Sequence, residues 1–307
     1  MGKHREEVNY RAPGKLMLTG EYHVLHGIPA LAVPTHQGQE LRAWKDESIP
    51  DYLHWASWDE QGKLWFWAKW SAPGELLESS DRQSAEFLAK LLGAAQKLGK
   101  TGPLRGYRVE TRLDFPRHWG LGSSSTLTCL LAQWLKCPPL DLHFATQNGS
   151  GYDVAVALAG KAIQYRLTAE GQAEWDKVQL PDFWRNTSLI YRGVKQNSAR
   201  EVQRFHERKR HPTVETELAA IAEAFLQCKN RQELEALMYR HEKLTGASLG
   251  QLPVQDELYP DYPGQLKSLG AWGGDFLWGS GSAEASKEYF AAKGLHTVLA
   301  FDALCRF

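Results

Sequence analysis

At 307 residues the chain has room for about two domains of roughly 150 residues each, and 43% hydrophobic with 23% charged content is ordinary for globular proteins, which excludes disorder or a fibre as the main state. The 36 Lys and Arg are balanced by 36 Asp and Glu, so no long-range basic field exists and nucleic acid is not an expected partner. No stretch approaches the ~18 to 20 apolar residues of a membrane span, and the start, MGKHREEVNY, lacks the apolar core of a secretory signal. A cytoplasmic protein without a membrane partner is expected.

Residues 8–11 read as a strand running into a Pro13-Gly14 turn, with short apolar strands at 16–18 and 30–33. Residues 39–70 hold six of the twelve tryptophans: Trp44, Trp55, Trp58, Trp65, Trp67 and Trp70. The aromatic content of 64–70 suits a sheet. Its rings read as core and sheet-face packing, a platform for a sugar or a base being the alternative. Ala85, Leu88, Leu91, Leu92 and Ala95 recur at three- and four-residue spacing and predict a helix over 84–98. A strand over 106–113 leads to Pro116. A glycine-serine turn then opens a second helix with Leu127, Leu130, Leu131, Trp134 and Leu135 on its buried side, stopped by Pro138-Pro139.

The least committed segment, 168–185, takes the domain boundary, giving domains 1–180 and 181–307. A strand follows at 189–191. The capping-box spacing of Ser198 and Glu201 predicts a helix starting near Ala199. Helical segments at about 215–229 and 231–245, a glycine-rich strand and turn at 270–281, and a last helix and strand complete the chain. Cys129, Cys137, Cys228 and Cys305 have no CxxC spacing and read as reduced core residues. His23 and His26 read as structural, because no carboxylate or cysteine completes a ligand set with them.

Chemistry concentrates in four segments. Gly120-Leu121-Gly122-Ser123-Ser124-Ser125 opens the second helix, where small residues allow close backbone approach and the free amides and dipole end attract phosphate. The bland reading is a serine cap. There is no GxxxxGK[ST] loop and no GxGxxG turn. Gly149-Ser150-Gly151-Tyr152-Asp153 precedes the apolar run 154–159 and holds a carboxylate at the edge of a buried element, where it can deprotonate a hydroxyl. Gly270-Ala271-Trp272-Gly273-Gly274-Asp275 follows Lys267 as a second tight loop, and Ala12 to Tyr22 sets Lys15 between a turn and an apolar strand. Taken singly, these also read as turn glycines, a solvated lysine and a capping aspartate.

In this order the segments resemble the family of galactokinase, homoserine kinase, mevalonate kinase and phosphomevalonate kinase, the GHMP kinases. Residues 13–27, 116–125 and 267–275 resemble its three motifs, and the likeness covers nearly the whole chain. It implies an α+β, two-domain GHMP kinase fold with an N-terminal ribosomal-protein-S5-like domain and a C-terminal ferredoxin-like domain, and ATP with Mg2+ in the cleft between them. It implies Asp153 and Lys15 as catalytic residues, Gly120, Leu121, Gly122, Ser123, Ser124 and Ser125 around the ATP phosphates, and Ser124 as a magnesium ligand. Glu21, Tyr22, Ser150, Gly151, Gly273 and Gly274 fall where the acceptor is expected. Lys195 and Arg200, near the start of the capped helix, are candidates for an anionic acceptor.

The segments Gly20-Glu21-Tyr22, 149–153 and Gly273-Gly274-Asp275 look more like phosphomevalonate kinase, and Val24-Leu25-His26-Gly27 more like mevalonate kinase. Tyr22 stands where mevalonate kinases have His, only Asp141 is available in 140–147 where they have a magnesium-binding Glu, and Trp272 replaces a small residue. Gly151-Tyr152-Asp153 resembles the signature of a divergent bacterial group. The expected function is an ATP-dependent kinase of the isoprenoid pathway, with phosphomevalonate as acceptor and mevalonate as the alternative. A catalytically weak nucleotide or metabolite binder is the alternative of another class; a decarboxylase on the same fold is disfavoured because 120–125 lacks its arginine. The expected partners are ATP and a small molecule, on a monomer or homodimer.

Overall fold

A computed structural model of the chain describes residues 7–71, 74–193, 205, 208, 210–270 and 274–307. The expected Pro13-Gly14 turn lies instead inside one long strand, β1 (Glu7–Met17), which pairs with β2 (Ala30–Lys45). Proline cannot donate to a ladder, and the chain compensates locally. Gly38 lies so close that a Cβ there would come 2.2 Å from the Ala12 carbonyl, and the Gly38 amide donates to the Asp114 carboxylate, which Arg11 also grips.

One compact unit comprises Met1–Gly14, Gln37–Arg117 and Leu121–Leu158. Its strands β3 (Tyr52–Trp58), β4 (Leu64–Ser71), β5 (Leu76–Ser79) and β6 (Tyr107–Leu113) form the order β5-β4-β3-β6-β2, antiparallel except for the parallel β3–β6 pair. Helices α1 (Arg82–Gly99), α2 (Ser123–Leu135) and α3 (Pro139–Thr146) pack together, and a short α4 (Tyr152–Ala159) follows. Asp81 caps α1 by accepting the Ser84 amide at 2.8 Å, and the five apolar residues that predicted this helix are all buried. Gly99 is required where α1 ends, since a Cβ there would meet the Leu135 carbonyl at 1.9 Å. The tryptophan-rich segment is a strand as expected. Alternation sends Phe66, Ala68 and Trp70 into the core with Trp55, whereas Trp67 stays 38% exposed.

The other unit comprises Lys15–His36, His118–Gly120 and Ala159–Phe307. Residues Ala30 to Ala32 of β2 pair antiparallel with β7 (Ile163–Leu167), which pairs with β8 (Ala173–Lys177). The uncommitted segment 168–185 therefore carries a strand and the start of a 3-10 helix, Asp182–Asn186. A second, antiparallel sheet has the order β10 (Leu266–Leu269), β11 (Phe276–Gly279), β9 (Ser188–Tyr191), β12 (Val298–Ala300). Among the described residues this unit carries helices α5 (Pro212–Gln227), α6 (Arg231–Leu249), α7 (Val254–Leu258), α8 (Ala283–Ala291) and α9 (Phe301–Leu304). Trp184 and Trp278, both 0% exposed, meet edge to face at 4.8 Å, with Phe225 and Phe301 around them. The Trp278 indole donates to Thr187 Oγ1 at 2.9 Å, so the buried N–H is satisfied. The helix expected near Ala199, with Ser198 and Glu201, lies outside the described residues. All four cysteines are buried free thiols. Among the described residues no helix is long and apolar enough to cross a membrane.

Candidate active site

Gly120 and Gly122 both adopt left-handed backbone, with φ of 66° and 84°, a conformation that glycine reaches without strain. Gly122 is the N-cap of α2 and has no side chain, so the N-cap residue makes no side-chain capping bond. The first-turn amides, carried by serines, are left for another acceptor. Ser124 is exposed, whereas Ser125 is buried with Oγ donating back to the Gly122 carbonyl at 2.8 Å. This turn is anchored from behind. Thr126 Oγ1 donates to Gln39 Oε1 at 2.7 Å, and Gln147 Nε2 donates to Thr128 Oγ1, which donates to the Ser124 carbonyl.

In the same unit, Asp153 lies in the first turn of α4, half-buried, with Oδ1 accepting the Val154 amide at 3.0 Å. The buried element expected here is this helix, which includes Asp153 and buries Val154, Ala155 and Val156. Ser150 is 5% exposed. Gly149 and Gly151 have φ of 141° and 78°, and the ring of His143 lies alongside: a Cβ on Gly151 would meet it at 3.4 Å and one on Gly149 at 3.8 Å. His143 is 4% exposed, and among the described residues neither ring nitrogen has a hydrogen-bond partner. Asp141 stands exposed in the first turn of α3.

The other unit holds the remaining candidates. Lys15, near the end of β1, donates to the Gly120 carbonyl at 3.1 Å. The Asp275 carboxylate lies directly on Gly120, 1.8 Å from where a Cβ would be. The approach to this glycine is clamped by rings: Trp119 packs edge-on to Phe276 at 5.6 Å, and Tyr191 donates to the His118 carbonyl at 3.1 Å. Burial first, and then the Asp275 charge, push the Tyr191 phenol up. Glu21 is 1% exposed, and its carboxylate faces Lys267, itself 0% exposed, rather than solvent. Tyr22 holds a left-handed φ of 59° and stacks its ring on Phe205 at 5.5 Å. His23 and His26 are held by protein groups, His26 by Glu215 at 2.7 Å. Gly274 is buried beside Asp275, while Gly273, Trp272, Lys195 and Arg200 lie outside the described residues.

Sequence reasoning passed over Asp275, His143, Lys267, His241 and Glu242 as site residues. Two of them carry a signal. Lys267 is the lone charge in the buried strand Leu266–Leu269, and Glu242 shares a helical stripe with the buried Met238, Thr245 and Leu249.

The uncapped turn of α2 fits nucleotide phosphates. Among the described residues no three His, Cys, Asp or Glu side chains group as a metal cage, but magnesium carried on phosphates needs only one or two protein oxygens. Ser124, exposed at the start of α2, offers one such oxygen. No family model matches the chain, and no curated protein matches it. Solved structures do. The chain is similar to mevalonate kinase from Methanococcus jannaschii at 15% identity over 98% of both chains with a TM-score of 0.71. It is similar to Streptococcus pneumoniae phosphomevalonate kinase, solved with phosphomevalonate and AMPPNP, at 16% identity over 95% of this chain and 99% of that one, TM-score 0.69. Lactococcus lactis galactokinase, solved with galactose, matches at 13% identity over 98% and 94%, TM-score 0.67. At such identities the likeness establishes architecture: the chain has the α+β, two-domain fold of the GHMP kinases.

Proposed function

We propose that the chain is an ATP-dependent small-molecule kinase that phosphorylates an acceptor of the mevalonate type, phosphomevalonate ahead of mevalonate. The observation that carries this reading is the uncapped start of α2, entered through two left-handed glycines and presenting an exposed Ser124. The same reading keeps the domain boundary near residue 180 and a cytoplasmic monomer or homodimer.

Phosphoryl transfer asks a protein mainly for positioning and charge stabilisation. Amides and hydroxyls of 120–125 hold the phosphates, and Ser124 Oγ serves the magnesium that neutralises their charge. Asp153 orients the acceptor hydroxyl and takes its proton as the new oxygen–phosphorus bond forms and the bond to the bridging oxygen breaks. Lys15 stabilises charge on the transferring group. Tyr22 and the 149–153 segment, with Ser150 and Gly151, favour phosphomevalonate by their likeness, and Lys195 and Arg200 supply charge for a phosphorylated acceptor. The Val24 to Gly27 segment favours mevalonate, the second reading.

Release of ADP is measured with mevalonate, phosphomevalonate, diphosphomevalonate, homoserine and galactose. Turnover of phosphomevalonate supports the reading, and of mevalonate the second one. Release with diphosphomevalonate indicates the decarboxylase chemistry of this fold. Silence across the panel, with AMPPNP still bound, leaves a nucleotide-binding protein without kinase activity.

A further inference from the structure

Lys267 is wholly buried, and a buried ammonium persists only when paired and hydrogen-bonded. Its Nζ donates to Glu21 Oε1 and to the Ser268 carbonyl, the latter at 2.9 Å. Glu21 Oε2 lies 3.4 Å from His241 Nε2, which accepts the Gly20 amide at 3.4 Å. With that lone pair engaged, the ring proton belongs on Nδ1, 3.4 Å from Thr245 Oγ1. The Glu21 carbonyl meets His23 Nδ1 at 3.0 Å, and His23 Nε2 meets Ser248 Oγ at 3.1 Å. On the far side, Glu242 of α6 accepts the Ser268 amide at 3.0 Å and the Val254 amide at 3.4 Å.

These bonds join three segments of one unit: the 20–23 turn, β10 and α6. The turn is unusual. Gly20 has φ 86° with no room for a Cβ, which would come 2.6 Å from Ala30 Cβ, and Tyr22 is left-handed without being glycine. Such backbone persists where the surroundings over-determine it. We infer that Lys267 and Glu21 are a pair of positioning residues: their buried ion pair holds the 20–22 turn in its strained conformation, and so sets the place of that turn against the acceptor without either side chain touching a ligand. The acceptor part of this inference rests on the kinase reading; the part concerning the turn does not.

Lys267 faces two carboxyls (Glu21 and Glu242) and the His241 imidazole, and His23, beside His241, also faces Glu215, His26 and His211. Burial holds both imidazoles neutral and raises both carboxyls, Glu242 to about 8, while the Lys267 charge opposes the rise of each. Above pH 8 a second carboxylate competes for Lys267 and the hold on the turn weakens.

The test uses the full chain with Glu21→Gln, Lys267→Met and the double variant, which is uncharged at both positions. Hydrogen exchange is followed at the amides of Gly20, His23 and Val24, and KM is measured for ATP and for the acceptor that proves active. Each single variant should speed exchange at least tenfold and raise acceptor KM at least tenfold, with ATP KM within twofold; wild-type acceptor KM should climb above pH 8. The double variant should be no worse than the worse single, since one shared interaction is lost. Should Lys267→Met fail to fold, Glu21→Gln keeps the side-chain shape and decides. Additive losses, or unchanged exchange in folded variants, overturn the inference. If no acceptor in the panel is turned over, the kinase reading fails and the exchange arm still decides this one.

Discussion

The Asp275 carboxylate occupies the space that a side chain on Gly120 would need, with Oδ2 1.8 Å from the ideal Cβ position. Two independent demands therefore fall on one glycine, a close approach and a φ of 66°. Gly120→Ala is expected to lower stability by ~1 to 3 kcal/mol, part from left-handed backbone and part from the displaced carboxylate. Thermal unfolding of Gly120→Ala and of Gly120→Ala with Asp275→Ala separates the two parts. The double variant should regain the steric part and keep the backbone part. A single variant as stable as wild type would mean that the carboxylate does not sit on the loop.

The buried acids give the fold a defined pH response. Glu242 has its pKa raised by burial to about 8 from an ordinary 4.5, so the folded state binds a proton there that the unfolded chain has released, and stability falls as pH rises through that window. His23 is lowered by burial to about 4 from 6.5, so its contribution is complete above 6.5 and fades as pH falls toward 4. Between 6.5 and 8 the buried carboxyls act without opposition from His23, with a slope approaching about 1.4 kcal/mol per pH unit for one proton. Calorimetric unfolding temperatures should decline from pH 6.5 to 8, and Glu242→Gln, which can still accept the Ser268 amide, should remove most of the decline. Parallel profiles for the two proteins would place the titrating group elsewhere.

Much of the local structure was legible because it follows from short-range rules. The apolar spacing of α1, the aromatic strand Leu64–Ser71 and the glycine-serine entry to α2 all depend on neighbours a few residues away. The Pro13-Gly14 segment was misread because its place in β1 depends on Gly38 and Asp114, which no local pattern relates to it. Asp153 was placed at the edge of a buried element, but eight residues with little periodicity did not declare a helix. Lys267 and Glu21 are 246 positions apart. Glu21 reads from its motif as an acceptor residue and Lys267 only as the residue before a glycine-rich loop, and the pairing that buries them is a property of the tertiary structure. The Asp275 contact is hidden for the same reason, since the glycine that admits it also serves a turn.

His143 gives a prediction in which stability and function move apart. A buried polar group without a partner costs about 1 to 3 kcal/mol, and both nitrogens of this ring are in that state among the described residues. His143→Phe keeps a ring against Gly149 and Gly151 while removing the nitrogens, so the variant should unfold at a higher temperature than wild type. His143→Ala, which removes the ring, should unfold lower and loosen the segment that carries Asp153. Equal losses in both variants would show that the nitrogens are engaged in the folded protein.

The assignment of Asp153 stands or falls on a conservative change. Its Oδ1 accepts the Val154 amide at 3.0 Å, and asparagine offers an oxygen of the same geometry, so Asp153→Asn should leave the first turn of α4 intact. The charge and the capacity to accept a proton are lost. Because the carboxylate is proposed to act on the acceptor and not on the nucleotide, calorimetric titration should give unchanged affinity for AMPPNP with magnesium. Turnover should fall by ~10² to 10⁴, the usual contribution of a positioned general base. Weakened AMPPNP binding alongside lost turnover would place Asp153 at the nucleotide or its metal. Wild-type turnover of the active acceptor would remove Asp153 from the chemistry, and Asp275, already seated on Gly120, would be the next carboxylate to replace by asparagine and assay the same way.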